Sequence, residues 1–222
     1  MAVMLTVMAL LYALQGLPFL LVMRKPGSLR CWFEDPAEAQ ERTRHSPELQ
    51  EWIGRLKALG FDELGVKVEK MPLWGGSYRE VALVSQESDI YASIVMRNNG
   101  SPASLYYYTP LHGGGMIFTR NFGDGPEFEG DGVSVQNVPS GDFAFVLDVH
   151  TRRLDTFRER GRMPRVAASQ AARVEATHAF YAGEYARRNS IRVSTGIAGC
   201  VAALAILGCI AIGVLTYLLG RR

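Results

Sequence analysis

The chain has 222 residues, 48% hydrophobic and 21% charged, with a formal net charge of +2. That is too apolar for a disordered chain, and three cysteines cannot staple a disulfide scaffold. So small an excess of positive charge also excludes a strongly basic nucleic-acid binder, and no nucleic-acid partner is expected.

Residues 2–23 carry no Lys, Arg, Asp or Glu, and Gln15 is the one strongly polar interruption. As a helix they would extend about 33 Å, enough to cross a hydrocarbon core of about 30 Å. Pro18 would kink that helix or end its regular part, which membrane helices tolerate. The basic residues follow the apolar run instead of preceding it, and Leu21-Val22-Met23-Arg24 is a poor cleavage site. Residues 1–23 therefore read as a retained transmembrane anchor and not as a cleaved signal. Arg24, Lys25 and Arg30 form a basic margin, beside which Cys31 is a palmitoylation candidate or a plain thiol. Residues 24–45 read as a juxtamembrane linker; within them residues 33–45 are polar and lack a clear period, and could also be a frayed helix.

Ser46-Pro47 offers an N-cap followed by proline at the first helical position. Leu49, Trp52, Ile53, Leu56 and Leu59 recur at helical spacing, and Gly60 stops the run. Alternating segments follow: residues 66–71, 78–84, 90–97, 104–109, 116–122 and an edge strand at 133–138. The turn signals between them include Asn98-Asn99-Gly100 and Gly113-Gly114-Gly115. Gly141-Asp142 opens a second helix with Phe143, Val146, His150, Leu154 and Phe157 on one side, ended by Gly161 and Pro164. The expected fold is α+β: an antiparallel meander of five or six strands covered by helices on one face, over residues 46–165. A helical stalk over 166–192 leads into a second transmembrane helix over 193–219, a stretch of 27 residues without a charge.

Leu59-Gly60-Phe61, Leu64-Gly65, Ile90-Tyr91-Ala92, Tyr108-Thr109-Pro110-Leu111, the strand from Met116 to Asn121, His150 and the Gly161/Pro164 break resemble a loosely defined family of uncharacterised bacterial proteins. Its members have a small α+β domain, often beside a membrane helix. The resemblance covers about residues 50–165 and implies the fold, with no activity, cofactor or catalytic residue attached.

The charges are segregated. Residues 31–151 hold 9 basic and 18 acidic side chains, and residues 152–192 hold 10 and 4. Arg24, Lys25, Arg30, Arg187, Arg188 and Arg192 flank the two apolar ends on the side of the body, so the positive-inside bias places the body in the cytoplasm. Arg152, Arg153, Arg158, Arg160, Arg162 and Arg165 would add attraction to anionic headgroups, or form a solvated helix face. In the last helix Gly196/Cys200, Gly199/Ala203 and Cys209/Gly213 are four apart. They could pack against the first helix, a second copy or another membrane subunit, or be the ordinary small-residue content of such helices.

His112-Gly113-Gly114-Gly115 looks like an oxyanion turn of lipase-like hydrolases, but the chain has no Gly-x-Ser-x-Gly elbow, and a glycine hairpin turn is the better reading. The loop over 124–132, with Asp124, Glu127, Glu129 and Asp131, departs from the EF-hand spacing and reads as a solvated acidic loop. No histidine stands at zinc-ligand spacing from a Cys or another His. No catalytic set, cofactor site or metal site is therefore assigned. Tyr106-Tyr107-Tyr108 would send Tyr106 and Tyr108 to one face of a strand, where an exposed aromatic surface beside the acidic loop would receive a partner. The expected role is a non-catalytic accessory or scaffold subunit of a membrane complex, partnered by the bilayer and by a membrane protein or a second copy. The alternatives are a membrane-tethered sensor of a small ligand and, less favoured, a hydrolase using His112 or His150.

Overall fold

The computed structural model describes residues 2–220 apart from Ser88, Asp124 and Asp131. Helix α1 (Ala2–Arg24) leads through a single turn of 3-10 helix at Pro26–Ser28 into strand β1 (Arg30–Phe33). Then come α2 (Pro36–Arg44), α3 (Pro47–Ala58), β2 (Phe61–Lys70), β3 (Ser77–Ser85), β4 (Tyr91–Met96), β5 (Pro102–Pro110), β6 (Met116–Arg120), β7 (Phe128–Gly130) and β8 (Val133–Asn137). The chain ends in α4 (Phe143–Glu159), α5 (Gln170–Ala182) and α6 (Glu184–Leu219).

Local chemistry sets the helix ends. The side chains of Asp35, Ser46, Asp142 and Ser169 each accept a backbone N–H in the first turn of α2, α3, α4 and α5. Gly60 and Gly161, at φ 84° and 75°, follow α3 and α4 in the left-handed conformation that glycine adopts without strain.

The strands form one eight-stranded sheet, ordered β1-β2-β3-β4-β5-β6-β8-β7. Neighbours from β1 to β6 pair antiparallel in chain order, as a meander should. β8 then runs parallel to β6, and β7 folds back as the outermost strand. The fold is α+β, but the sheet is mixed and larger than expected from sequence. Residues 133–138, expected at the edge, hold the inner strand β8. Residues 24–45 are not a linker: Arg30 to Phe33 pair in register with Lys70 to Lys67, and Asp35 with Pro36 starts α2.

Both faces of the sheet are covered. On the first, Leu49, Ile53 and Leu56 of α3 and Phe143, Val146, Leu154 and Phe157 of α4 pack on Val81, Leu83, Ile94, Leu105, Tyr107 and Ile117. Burying each such side chain contributes about 1.5–3 kcal/mol. On the second face Ala176 of α5 packs with Val84, Tyr91, Tyr108, Met116, Val133 and Val135, against partly buried Phe180 and Tyr185. The expectation of one covered face missed this because α5 falls in the segment read as a stalk. β4 signals the second layer: the run Tyr91-Ala92-Ser93-Ile94-Val95-Met96 is apolar on both sides of the strand, as a strand buried on both faces is.

Gly183 alone separates α5 from α6. Among the described residues one helix, Glu184–Tyr217, is long and apolar enough to cross a membrane. The described apolar part of α1, Leu14–Arg24, is shorter. This corrects the expectation of a membrane span at each end to one at the C-terminal end. The end of α1 belongs to the domain, because Val22 and Met23 are buried, Val22 among Leu29, Met71 and Tyr181. Higher up, α1 lies along α6, and a Cβ on Gly16 would stand 3.5 Å from Val193 and 3.6 Å from Ile197.

Candidate functional site

Alternation along the middle strands sends a set of polar side chains to the second face. Lys67 of β2 stands directly across from Glu80 of β3, and Ser93 of β4 across from Tyr106 of β5. Helix α5 lays Arg173 and Thr177, one turn apart, over them. The result is a closed network under a helix. Lys67 Nζ donates to Glu80 Oε1 at 2.8 Å, to Glu69 Oε1 at 2.6 Å and to Thr177 Oγ1 at 2.8 Å. Arg173 Nη2 donates to Glu80 Oε1 at 2.9 Å and to Ser93 Oγ at 3.1 Å, and it lies 2.8 Å from the Tyr106 hydroxyl. Its Nη1 donates to Thr177 Oγ1 at 3.0 Å. Tyr106 donates to Glu80 Oε2 at 2.5 Å, and Tyr181 to Glu69 Oε2 at 3.1 Å.

Lys67 and Arg173 are almost completely buried, so each charge needs a partner. Burial alone would push the Glu80 carboxyl up. Lys67 and Arg173, with hydrogen bonds from Lys67 and Tyr106, outweigh burial and hold it down to about 2. Burial also opposes the charge of Arg173, but the carboxylates of Glu80 and Glu69 overcome it and raise its pKa. The guanidinium carbon sits 5.1 Å from the ring centre of Tyr91 and 5.5 Å from that of Tyr108. Burial drives the hydroxyls of Tyr106, Tyr108 and Tyr181 upward, so they stay protonated as donors. One donor is left over: Arg173 Nε is buried and has no partner among the described residues.

This network is the floor of a cleft of about 280 Å³. Its walls are mostly apolar, with Arg79 the charged exception: Phe19 from α1, Met71 and Tyr78 beside the β2–β3 turn, Val95 and Phe118 from the sheet, and Phe180 from α5. Phe180 packs edge-on against Tyr108 at 5.9 Å and Tyr181 at 5.3 Å between ring centres. The arrangement suits an apolar body over a polar base, since the floor is charge-balanced and most of its donors and acceptors are already used.

Tyr106 and Tyr108 do share a face, but not an exposed one. Tyr108 is buried and donates to the Ala176 carbonyl at 3.0 Å, and both rings line the cleft, because α5 covers that side of β5. The partner surface expected from these tyrosines is therefore corrected to an interior site. Of the acidic loop, Glu127 accepts the Asn137 N–H at 2.9 Å and Glu129 pairs with Arg153 at 3.0 Å, so both serve the β7–β8 edge. Asp124 and Asp131 lie outside the described residues. Among the described residues no three His, Cys, Asp or Glu side chains come together as a metal site.

His112 is exposed in the hairpin turn between β5 and β6, where a Cβ on Gly115 would fall 2.1 Å from the Gly132 carbonyl oxygen. His150 is fully buried, and its partners are side chains, not the backbone. The Thr109 hydroxyl donates to the Asp89 carbonyl at 2.9 Å, so it accepts from His150 Nε2–H at 3.0 Å, and Nδ1 accepts from Thr119 at 2.9 Å. Burial pushes this imidazole down to about 3. Cys31 is half-buried in β1 opposite Glu69, and burial pushes its thiol up, which makes it a poor nucleophile.

Arg24, Lys25, Arg30 and Arg192 are exposed, and Arg187 and Arg188 pair with Glu184 on the first turn of α6. Arg152, Arg158 and Arg165 are likewise paired, with Asp148, with Asp89 and Asp155, and with Glu175. In the apolar part of α6 the half-buried residues other than Ser194 are Val193, Ile197, Cys200, Leu204 and Leu207, at alternating spacings of four and three. Cys200 is the one member of the small-residue set within that stripe. Among the described residues Gly196, Gly199 and Gly213 have no neighbouring atom within 4 Å of a built Cβ, and Ala203 and Cys209 are exposed.

No family model matches the chain, and no curated protein or solved structure is significantly similar to it.

Proposed function

We propose that this protein is a membrane-anchored, non-catalytic binding module. Its α+β domain receives an apolar-bodied small molecule in the cleft beneath α5. The observation that carries this reading is the cleft itself: aromatic and aliphatic walls above a buried base in which Arg173 Nε has no partner among the described residues. The apolar length of α6, with α1 packed along it, supports anchorage in a bacterial inner membrane. The exposed basic residues Arg24, Lys25, Arg30 and Arg192 support a cytoplasmic placement of the domain.

Val95 faces the cleft from β4, directly across from Glu80 of β3, so Val95→Trp fills the space beside the ion network. The full-length chain and this variant are purified from native membranes, and the small molecules extracted from each are compared by mass spectrometry. A species enriched with the wild type and lost from a folded Val95→Trp protein is the expected result. Identical extracts would remove the binding reading.

A second reading, an accessory subunit of a membrane complex, is favoured by Gly196, Gly199 and Gly213, which meet no side chain among the described residues.

A further inference from the structure

The turn between β2 and β3 runs Met71-Pro72-Leu73-Trp74-Gly75-Gly76, six residues without a charge, and it leaves the domain to lie against α1. Its tip is greasy and uncovered: Leu73 and Trp74 are each 58% exposed. Leu73 holds a φ of 56°, a conformation that a branched apolar residue takes only under constraint. The constraint is visible. The Met71 N–H bonds the Gly76 carbonyl at 3.1 Å, and Gly75 sits so close that a Cβ there would meet Pro18 Cβ at 2.9 Å.

Pro18 explains why the turn docks where it does. In a helix the carbonyl of residue 14 accepts from the N–H of residue 18, and proline has none. The Leu14 carbonyl is therefore left without its helical donor, and Trp74 supplies one: indole Nε1–H donates to Leu14 O at 2.9 Å. Hydrocarbon offers an unpaired carbonyl no water to bond, so this repair matters most there.

The depth of the tip can be read from its neighbours. Gly16 of α1 lies against Val193 and Ile197 of α6, and Val193 opens the 27-residue run without a charge. Leu14 is two residues further from the domain than Gly16, and about 15 Å along α1 from Arg24. The indole of Trp74 thus stands at the level of the apolar run of α6, past the basic margin. Lys70, exposed at the base of the hairpin, is placed to reach headgroups.

We propose that residues 72–75 form a lipid-inserted wedge, with Leu73 and Trp74 seated in the bilayer's interfacial zone beside α1. Tryptophan suits that zone, because its ring is apolar and its N–H needs a partner. The proposal rests on the anchored reading of α6 and adds a third contact between the domain and the lipid. It makes the sheet itself, through β2 and β3, a membrane-bound element.

The test uses the full chain in phosphatidylcholine–phosphatidylglycerol vesicles, with Trp32→Phe and Trp52→Phe leaving Trp74 as the reporter. Acyl-brominated phosphatidylcholine is expected to remove most of the Trp74 emission, and aqueous iodide to leave it almost unchanged. If the chain floats with the vesicles but iodide quenches and bromolipid does not, the wedge is wrong and the anchor stands. If neither quenches, protein covers the indole and the wedge is again wrong. If the chain does not float, the wedge and the anchor fall together. Should the double variant misfold, the native sequence labelled with fluorotryptophan replaces it, with Trp74→Phe assigning the fluorine resonance. A nitroxide on the lipid acyl chain is then expected to broaden the Trp74 signal and spare that of Trp52. Equal broadening of both, or of neither, overturns the proposal.

Discussion

Lys67, Glu80 and Arg173 show how charge placement depends on which faces are covered. In sequence Lys67 and Glu69 look like the wet side of an alternating strand, and Arg173 like one more arginine in a basic stretch. Each is the opposite, because α5 turns the wet side into an interior. Breaking a buried pair of this kind by removing one partner costs about 3–5 kcal/mol. His150 belongs to the same scale and sets the acid sensitivity of the fold. Its folded pKa lies at about 3 against an ordinary 6.5, and that of Glu80 at about 2 against 4.5. In both cases the unfolded chain binds the proton first as pH falls. Stability is therefore full above pH 6.5, begins to fall there through His150, and falls further below 4.5 through Glu80. The slope is at most about 1.4 kcal/mol per pH unit for each group. Urea unfolding of the detergent-solubilised chain is expected to show its midpoint dropping from pH 6.5 downward. His150→Gln, which keeps a donor and an acceptor without a titrating ring, should flatten the limb between 6.5 and 4.5. An unchanged limb would mean that another group carries it.

Among the elements, those with local signals were the most legible. α3 and α4 stand where their caps and their spaced apolar residues place them, and the meander from β2 to β6 follows its turn signals. β1, β7 and the parallel seating of β8 were not legible. A four-residue and a three-residue strand have almost no periodicity, and they exist because a longer neighbour offers an edge. α5 was missed as a covering layer because Ala172, Ala176 and Phe180 make a narrow apolar stripe interrupted by Arg173 and Thr177. For α6 the open matter is what meets Gly196, Gly199 and Gly213. In native membranes a bismaleimide joining Cys209 across two copies is expected to yield a dimer that Gly213→Leu weakens. Monomer in both would leave that face to a different subunit or to lipid.

At the scale of the molecule, the apolar ends and the basic margins were plain from the charge map, whereas the cleft was invisible. Its walls come from α1, the β2–β3 turn, β4, β6 and α5, and no local pattern links Phe19 to Phe118 or Phe180. The charge map has its own expected outcome. A reporter enzyme active only in the cytoplasm, fused between Arg160 and Gly161, should be active in cells. Activity seen only with a reporter of the exported side would reverse the orientation. Gly183 ties these levels together. It is the whole connection between α5, which roofs the cleft with Thr177, Phe180 and Tyr181, and α6. Its N–H holds the Phe180 carbonyl at 3.2 Å, and its own carbonyl takes the Arg187 N–H at 3.0 Å. A joint of one residue, bonded on both sides, leaves no slack to absorb a twist. A rotation or tilt of the long helix would therefore bear first on α5, the helix that carries Arg173 and Phe180 to the cleft.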